Sequence, residues 1–277
     1  MVSCLRNNGY AGAVVFCSAN LVEKIYTSMS RHGLQPFIYV EVDHPRDVVA
    51  VSSQAWGVWS TSVGLLEEIF QESLKHKLKI VLTPVTSLNL KQSLKQISLL
   101  TPLERLKLAP RIDAVVDPDS EDLQQFVKLG ISLGISHSNF RPTPLMRTAI
   151  ATGINVVLGN TADAQQYPQS WGWALAQQYV EASSSETQVS ARAVFGAMTR
   201  GVYRALGESD PRKGQLVPSA PAQYAQWEVE ELMVQTPDSR VVAWSTDPRA
   251  RIPLLPALDT SRLPHLVRTV LPSSASS

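Results

Sequence analysis

Cysteine is nearly absent from this chain. Cys4 and Cys17 have no second pair to join them, which fits neither a disulfide framework nor a zinc ribbon, so both read as free thiols in a reducing compartment. A dominant charge sign is missing too. The 25 Lys and Arg almost cancel the 24 Asp and Glu, and no basic stripe interleaves with the aromatics. That excludes the footprint of a nucleic-acid binder and leaves a small molecule or a protein as the expected partner. In the opening MVSCLRNNGYAGAVVF, two Asn and a Gly interrupt any apolar run. No signal peptide or membrane span is therefore readable, and the chain is expected to be cytoplasmic, with no membrane contact. No GxGxxG follows the first apolar run, which weakens a dinucleotide-binding reading. There is no GxSxG either, although a Ser-His-acid site assembled by the fold stays open.

What is present is a rhythm. A hydrophobic fraction of 44% over 277 residues can bury a large core. From Ala11 to about Arg204, short apolar runs alternate with amphipathic segments, the pattern of βα units. Seven strands are predicted: AGAVVF from Ala11, PFIYVEV from Pro36, VVAVSS from Val48, KIVLTPV from Lys79, IDAVV from Ile112, ISLGIS from Ile131 and INVVLG from Ile154. Between them, Leu66, Ile69 and Phe70 share one helical face in SVGLLEEIFQESLKH. DSEDLQQFVKLG opens on acids and closes on Gly130, and MRTAIATG ends on Gly153, as helices do. Successive βα units with near-continuous apolar strands imply a parallel sheet, either doubly wound or a β/α barrel.

After Gly207 the texture changes to prolines and short β-rich pieces. YAQWEVEELMVQ and HLVRTVL read as strands, joined through Pro248, Pro253 and Pro256. The expected division is residues 1–207 for the barrel, 208–270 for a small β appendage and 271–277 for a disordered tail.

The segments VSARAVFGAMTRGVYRALG, GQLVPSAPAQYAQWEV, VVAWSTDPRARIPLLPALD and LPHLVRTVL together resemble the C-terminal part of the amidohydrolase superfamily, in its formamide-deformylase-like branch. The resemblance implies an α/β fold: a TIM-type β/α barrel, incomplete here because the seven strands match the second to eighth, followed by a β appendage from a β-sandwich domain. It also implies hydrolysis of C–N bonds in small amides or formamides, with divalent metal, usually zinc, activating a water. The family carries an HxH on its first strand, a carboxylated Lys on the fourth, a His each on the fifth and sixth, and an Asp after the eighth. At the corresponding places this sequence has Thr83 on the fifth, Ala114 on the sixth, and Asn160 or Thr161 after the eighth. No HxH occurs, and no lysine lies between Lys24 and Lys75.

Few polar residues offer a replacement. His137, at the end of ISLGIS, could meet Asp163 and Asp113 in a rebuilt site; the blander reading is a pocket-lining His bonded to backbone. A metal site needs three or more converging ligands, and His32, His44, His76 and His265 are expected on helix or loop surfaces. Trp171 and Trp173 could wall a ligand pocket or pack a helix on the barrel. Thr199 and Arg200 could hold a helix terminus or a carboxylate.

The sequence thus reads as a catalytically degenerate amidohydrolase with no cofactor. The alternatives are an active C–N hydrolase whose site is rebuilt or completed by another chain, and a ligand-binding or regulatory subunit of an intact relative. If the first strand is missing, AGAVVF and INVVLG become bare edges, and YAQWEV and LVRTVL lack partners. Homo- or hetero-oligomers formed through those edges are expected.

Overall fold

The computed structural model describes residues 5, 9–51, 53–113, 116–136, 142–159, 171–182, 184–233, 254–258 and 262–271. Seven strands hydrogen-bond in sequence order, each parallel to the next, as one curled open sheet. They are β1 (Gly12–Cys17), β2 (Gln35–Glu41), β3 (Gly57–Ser60), β4 (Lys79–Leu82), β5 (Arg111–Asp113), β6 (Ser132–Ser136) and β7 (Val156–Gly159). The connecting helices are α1 (Val22–Arg31), α2 (Pro45–Val49), α3 (Leu66–Lys75), α4 (Ser87–Leu99), α5 (Pro102–Leu108), α6 (Ser120–Leu129) and α7 (Pro144–Ala151). Beyond β7 come α8 (Trp171–Val180), α9 (Ala191–Met198) and α10 (Arg200–Ala205). The result is an incomplete barrel: one continuous parallel sheet whose first and last strands are both edges among the described residues.

The strands alternate between two cores, because successive side chains leave a strand on opposite faces. Ile80, Leu82, Ile112, Leu133, Ile135, Val156 and Leu158 belong to the large cluster shared with α3, α4, α6, α7, α8 and α9. Their neighbours Phe37, Tyr39 and Val81 fall in a second cluster with Val14, Phe16, Trp56 and Trp59, on the concave face. Leu206, just past α10, joins this inner cluster, with Val202 and Tyr203 packed beside it. The Trp56 indole donates to the Leu206 carbonyl at 3.0 Å, at the start of β3. The chain therefore closes the N-terminal end of the half-barrel with its own helix.

Several sequence expectations needed correction. The VVAVSS strand does not form: Pro45 opens the short helix α2, with His44 and Asp47 making a reciprocal capping box, and the strand comes later as GVWS. The capping signal outweighs the β-branched run because Pro45 presets the first helical turn. Within VSARAVFGAMTRGVYRALG, α9 and α10 are separated at Thr199, with φ −122° and ψ −95°. YAQWEVEELMVQ is likewise divided, into β8 (Tyr224–Glu228) and β9 (Leu232–Met233). β8 pairs antiparallel with β11 (His265–Val270), and β9 with β10 (Leu255–Pro256). YAQWEV and LVRTVL thus partner each other, and His265 lies exposed on a strand.

The C-terminal pieces pack onto the barrel helices. Trp227 of β8 stands edge-on to Trp173 of α8 at 5.8 Å, and the Gln177 amide donates to the Leu258 carbonyl at 2.7 Å. Among the described residues, no helix is long and apolar enough to cross a membrane.

Candidate functional site

In a parallel β/α sheet, chemistry gathers where the strands end at their C-terminal edge. Here that end of the concave face is built around Phe16. Tyr39 tilts against its ring at 5.6 Å, Trp59 meets it edge-on at 5.8 Å, and the Arg111 guanidinium lies 5.7 Å from its centroid. Arg111 and Asp113, two residues apart on β5, face the same side and form a bidentate pair: Nε donates to Oδ1 at 2.5 Å and Nη2 to Oδ2 at 2.7 Å. Both are largely buried, their side chains 9% and 14% exposed.

Glycines make this arrangement possible. A Cβ on Gly134 of β6 would sit 1.9 Å from Asp113 Oδ1 and 2.8 Å from Arg111 Nε. One on Gly57 would strike the Tyr39 ring at 2.6 Å. Burial pushes the Tyr39 hydroxyl far above its ordinary value, with Arg111 opposing and Asp113 adding to the rise, so it stays protonated. The Trp59 indole N–H is buried with no hydrogen-bond partner among the described residues.

Among the described residues, the remaining strand ends offer no nucleophile or base. Thr83 follows β4; strand parity from Val81 carries it to the concave side, half-buried, and its backbone N–H donates to the Ser60 carbonyl at 2.9 Å. The Ser60 hydroxyl accepts from the Ser62 N–H within its own turn. Cys17 is a free thiol that burial pushes up, against the thiolate a nucleophile requires. His32 is held at 2.9 Å from the Ser28 carbonyl, His44 caps α2 and His76 lies 4.0 Å from Glu72, all away from the concave face.

His137, Asp163, Ala114, Asn160 and Thr161 lie outside the described residues, as does the side chain of Trp171. Trp173 is 9% exposed, stacked on Phe195 at 5.8 Å within the outer core. Of the sequence candidates within the described residues, the structure brings Thr83 and Asp113 to the concave face. The Phe16, Tyr39, Trp59 and Arg111 assembly went unread, though its signal was present in the alternation of PFIYVEV and in the charged RID of a buried strand.

The chemistry of these donors does not fit a divalent-metal centre. Among the described residues, no three His, Cys, Asp or Glu side chains converge. Asp113, the carboxylate best placed on the concave face, already has both oxygens engaged by a guanidinium.

Strand order, curl and outer helices define an open β/α half-barrel. No family model matches the sequence, and no curated protein matches it. Solved structures do match. A triazine hydrolase from Arthobacter aurescens superposes with TM-score 0.61 at 15% identity, over 82% of this chain and 62% of that one. N-isopropylammelide isopropylaminohydrolase from Burkholderia multivorans gives 0.59 at 14%, over 83% and 68%. The ochratoxinase of A. niger gives 0.60 at 13%, over 81% and 67%. At such identities the likeness is one of fold. The chain spans about three-fifths of the triazine hydrolase it matches.

Proposed function

We propose that this chain is an amidohydrolase-type protein of the formamide-deformylase-like branch that has lost the metal-dependent hydrolysis of C–N bonds. Its β appendage is the remnant of that branch's β-sandwich. One observation carries the reading: the concave centre is filled by the Arg111–Asp113 pair packed on Phe16, with Thr83 at the end of β4 where the family would place a histidine. A guanidinium supplies fixed positive charge but has no open coordination position, so it cannot bind and acidify a water as a metal does. The buried Tyr39 hydroxyl and the half-buried Cys17 thiol are both held away from their reactive anions.

The reading is tested by attempted rescue. The parent chain and Thr83→His are assayed with added zinc against formamide and small aromatic amides. Neither is expected to turn over, because one restored imidazole leaves a metal under-coordinated. Activity gained by Thr83→His would mean that the other ligands are present, and would overturn the reading in favour of a rebuilt site that includes His137 or Asp163.

A second reading, that a partner completes the site, rests on the open edge. Ala11 O accepts from Gln35 N, so the odd residues of β1 face β2 while the peptide groups of Gly12, Val14 and Phe16 point away from the sheet.

A further inference from the structure

A different part of the molecule carries a charge that no ion pair balances among the described residues. At the opposite, N-terminal end of β7, a pocket of about 160 Å³ opens between α7, α9 and α10. Beside Ile150, Ile154 and Val156, its walls are small: Gly153, Gly196 and Ala197 leave room where larger side chains would stand. A Cβ on Gly153 or Gly196 would meet nothing within 4 Å. Arg200 and Arg204, one helical turn apart on α10, both line it. Both are exposed, and neither makes an ion pair or side-chain hydrogen bond among the described residues.

The surrounding sequence explains why. From Pro144 to Gly159, and again from Thr187 to Gly207, there is no Asp or Glu, while Arg147, Arg192, Arg200 and Arg204 fall in those stretches. No element lining the pocket therefore brings an acid to it, in a chain whose overall charge is only +1. The carbonyls at the C-terminus of α7, which would repel an anion, are already taken. Ile150 O accepts from Gly153 N at 3.0 Å, Ala149 O from Ile154 N at 3.0 Å and Thr148 O from Thr152 N at 3.0 Å. The Asn155 amide is turned to Ser132 Oγ and to the Gly201 carbonyl, which fixes the start of β7 against α10.

Two like charges on neighbouring turns repel each other by a few tenths of a kcal/mol in a helix, and an anion between them reverses the sign. The volume decides the size of that anion, since pockets for drug-sized ligands run to roughly 300 Å³ and above.

We infer that Arg200 and Arg204 form a binding site for a small oxyanion of the phosphate class, either free or as the phosphate end of a larger molecule that extends into solvent. Guanidinium forks match phosphate oxygens bidentately, and glycine walls let the anion approach the backbone. The site shares no residue with the Arg111–Asp113 centre and needs no metal, so its fate is separate from that of the proposed loss of hydrolysis.

Inorganic phosphate is the probe, titrated calorimetrically into the full chain at constant ionic strength, with chloride as control and glycerol phosphate as a second ligand. Saturable millimolar binding is expected. The double variant Arg200→Gln, Arg204→Gln should weaken it by about tenfold or more, the loss of two charge-assisted contacts. Because both side chains are exposed, the variant should keep the parent's circular dichroism and melting temperature without phosphate. Tighter binding of glycerol phosphate would assign the phosphate end of a larger ligand, and equal or weaker binding the free ion. No saturable phosphate binding, or equal binding by parent and double variant, overturns the inference.

Discussion

Replacing Arg111 by Met should destabilise the chain by about 3–5 kcal/mol, the usual cost of leaving one member of a buried ion pair without its partner. The largely buried Asp113 carboxylate would remain with both oxygens stripped of their guanidinium donors. Gly134→Ala should produce a loss of similar size by a different route. Its new methyl would overlap Asp113 Oδ1 and crowd Arg111 Nε, so β6 must move or the pair must part. Removing both charges together, as Arg111→Met with Asp113→Leu, should recover most of the loss, because two apolar side chains of similar volume leave no buried charge behind. Urea unfolding with unchanged slopes measures all three. A single Arg111→Met variant within about 0.5 kcal/mol of the parent would place the pair among solvent-screened surface contacts and contradict its role as the plug of the concave face.

The second large effect concerns association. The two edges of the sheet are not equivalent. On β7, the Val156 carbonyl is met by α10, where a Cβ on Gly201 would come within 2.5 Å of it. On β1 the outward peptide groups of Gly12, Val14 and Phe16 lie half-buried in an uncharged strand with no proline, lysine or bulge to discourage pairing. We propose that β1 pairs with a strand of a second copy, so the purified chain should elute as a dimer or larger species by light scattering. The Val14 and Phe16 amides should then exchange slowly in the assembly and faster on dilution. A concentration-independent monomer with those same amides protected would show that the edge is covered from within the chain.

The legible part of the fold was the part carried by periodicity. PFIYVEV and KIVLTPV alternate between two apolar faces and became β2 and β4, and DSEDLQQFVKLG became α6 with Gly130 at φ 69° closing it. VVAVSS misled because a β-branched run says nothing about the His44-Pro45 cap beside it, and GVWS was missed because four residues between turns give no period to read. The concave centre was legible only in fragments, for a related reason. Its members come from β1, β2, β3 and β5, residues 16, 39, 59, 111 and 113, and only the curl of the sheet brings them round one ring. Thr83, in contrast, was located through the likeness of its strand to a histidine-bearing one, a pattern readable without any contact.

The central claim, an amidohydrolase-type half-barrel whose centre is closed by an ion pair instead of a metal, is tested most directly by elemental analysis of the chain purified after expression with added zinc, iron and manganese. The account predicts substoichiometric metal that dialysis against a chelator removes with no change in melting temperature, since no folding free energy is tied to it. One ion per chain that survives dialysis, and whose removal lowers the melting temperature, would contradict it.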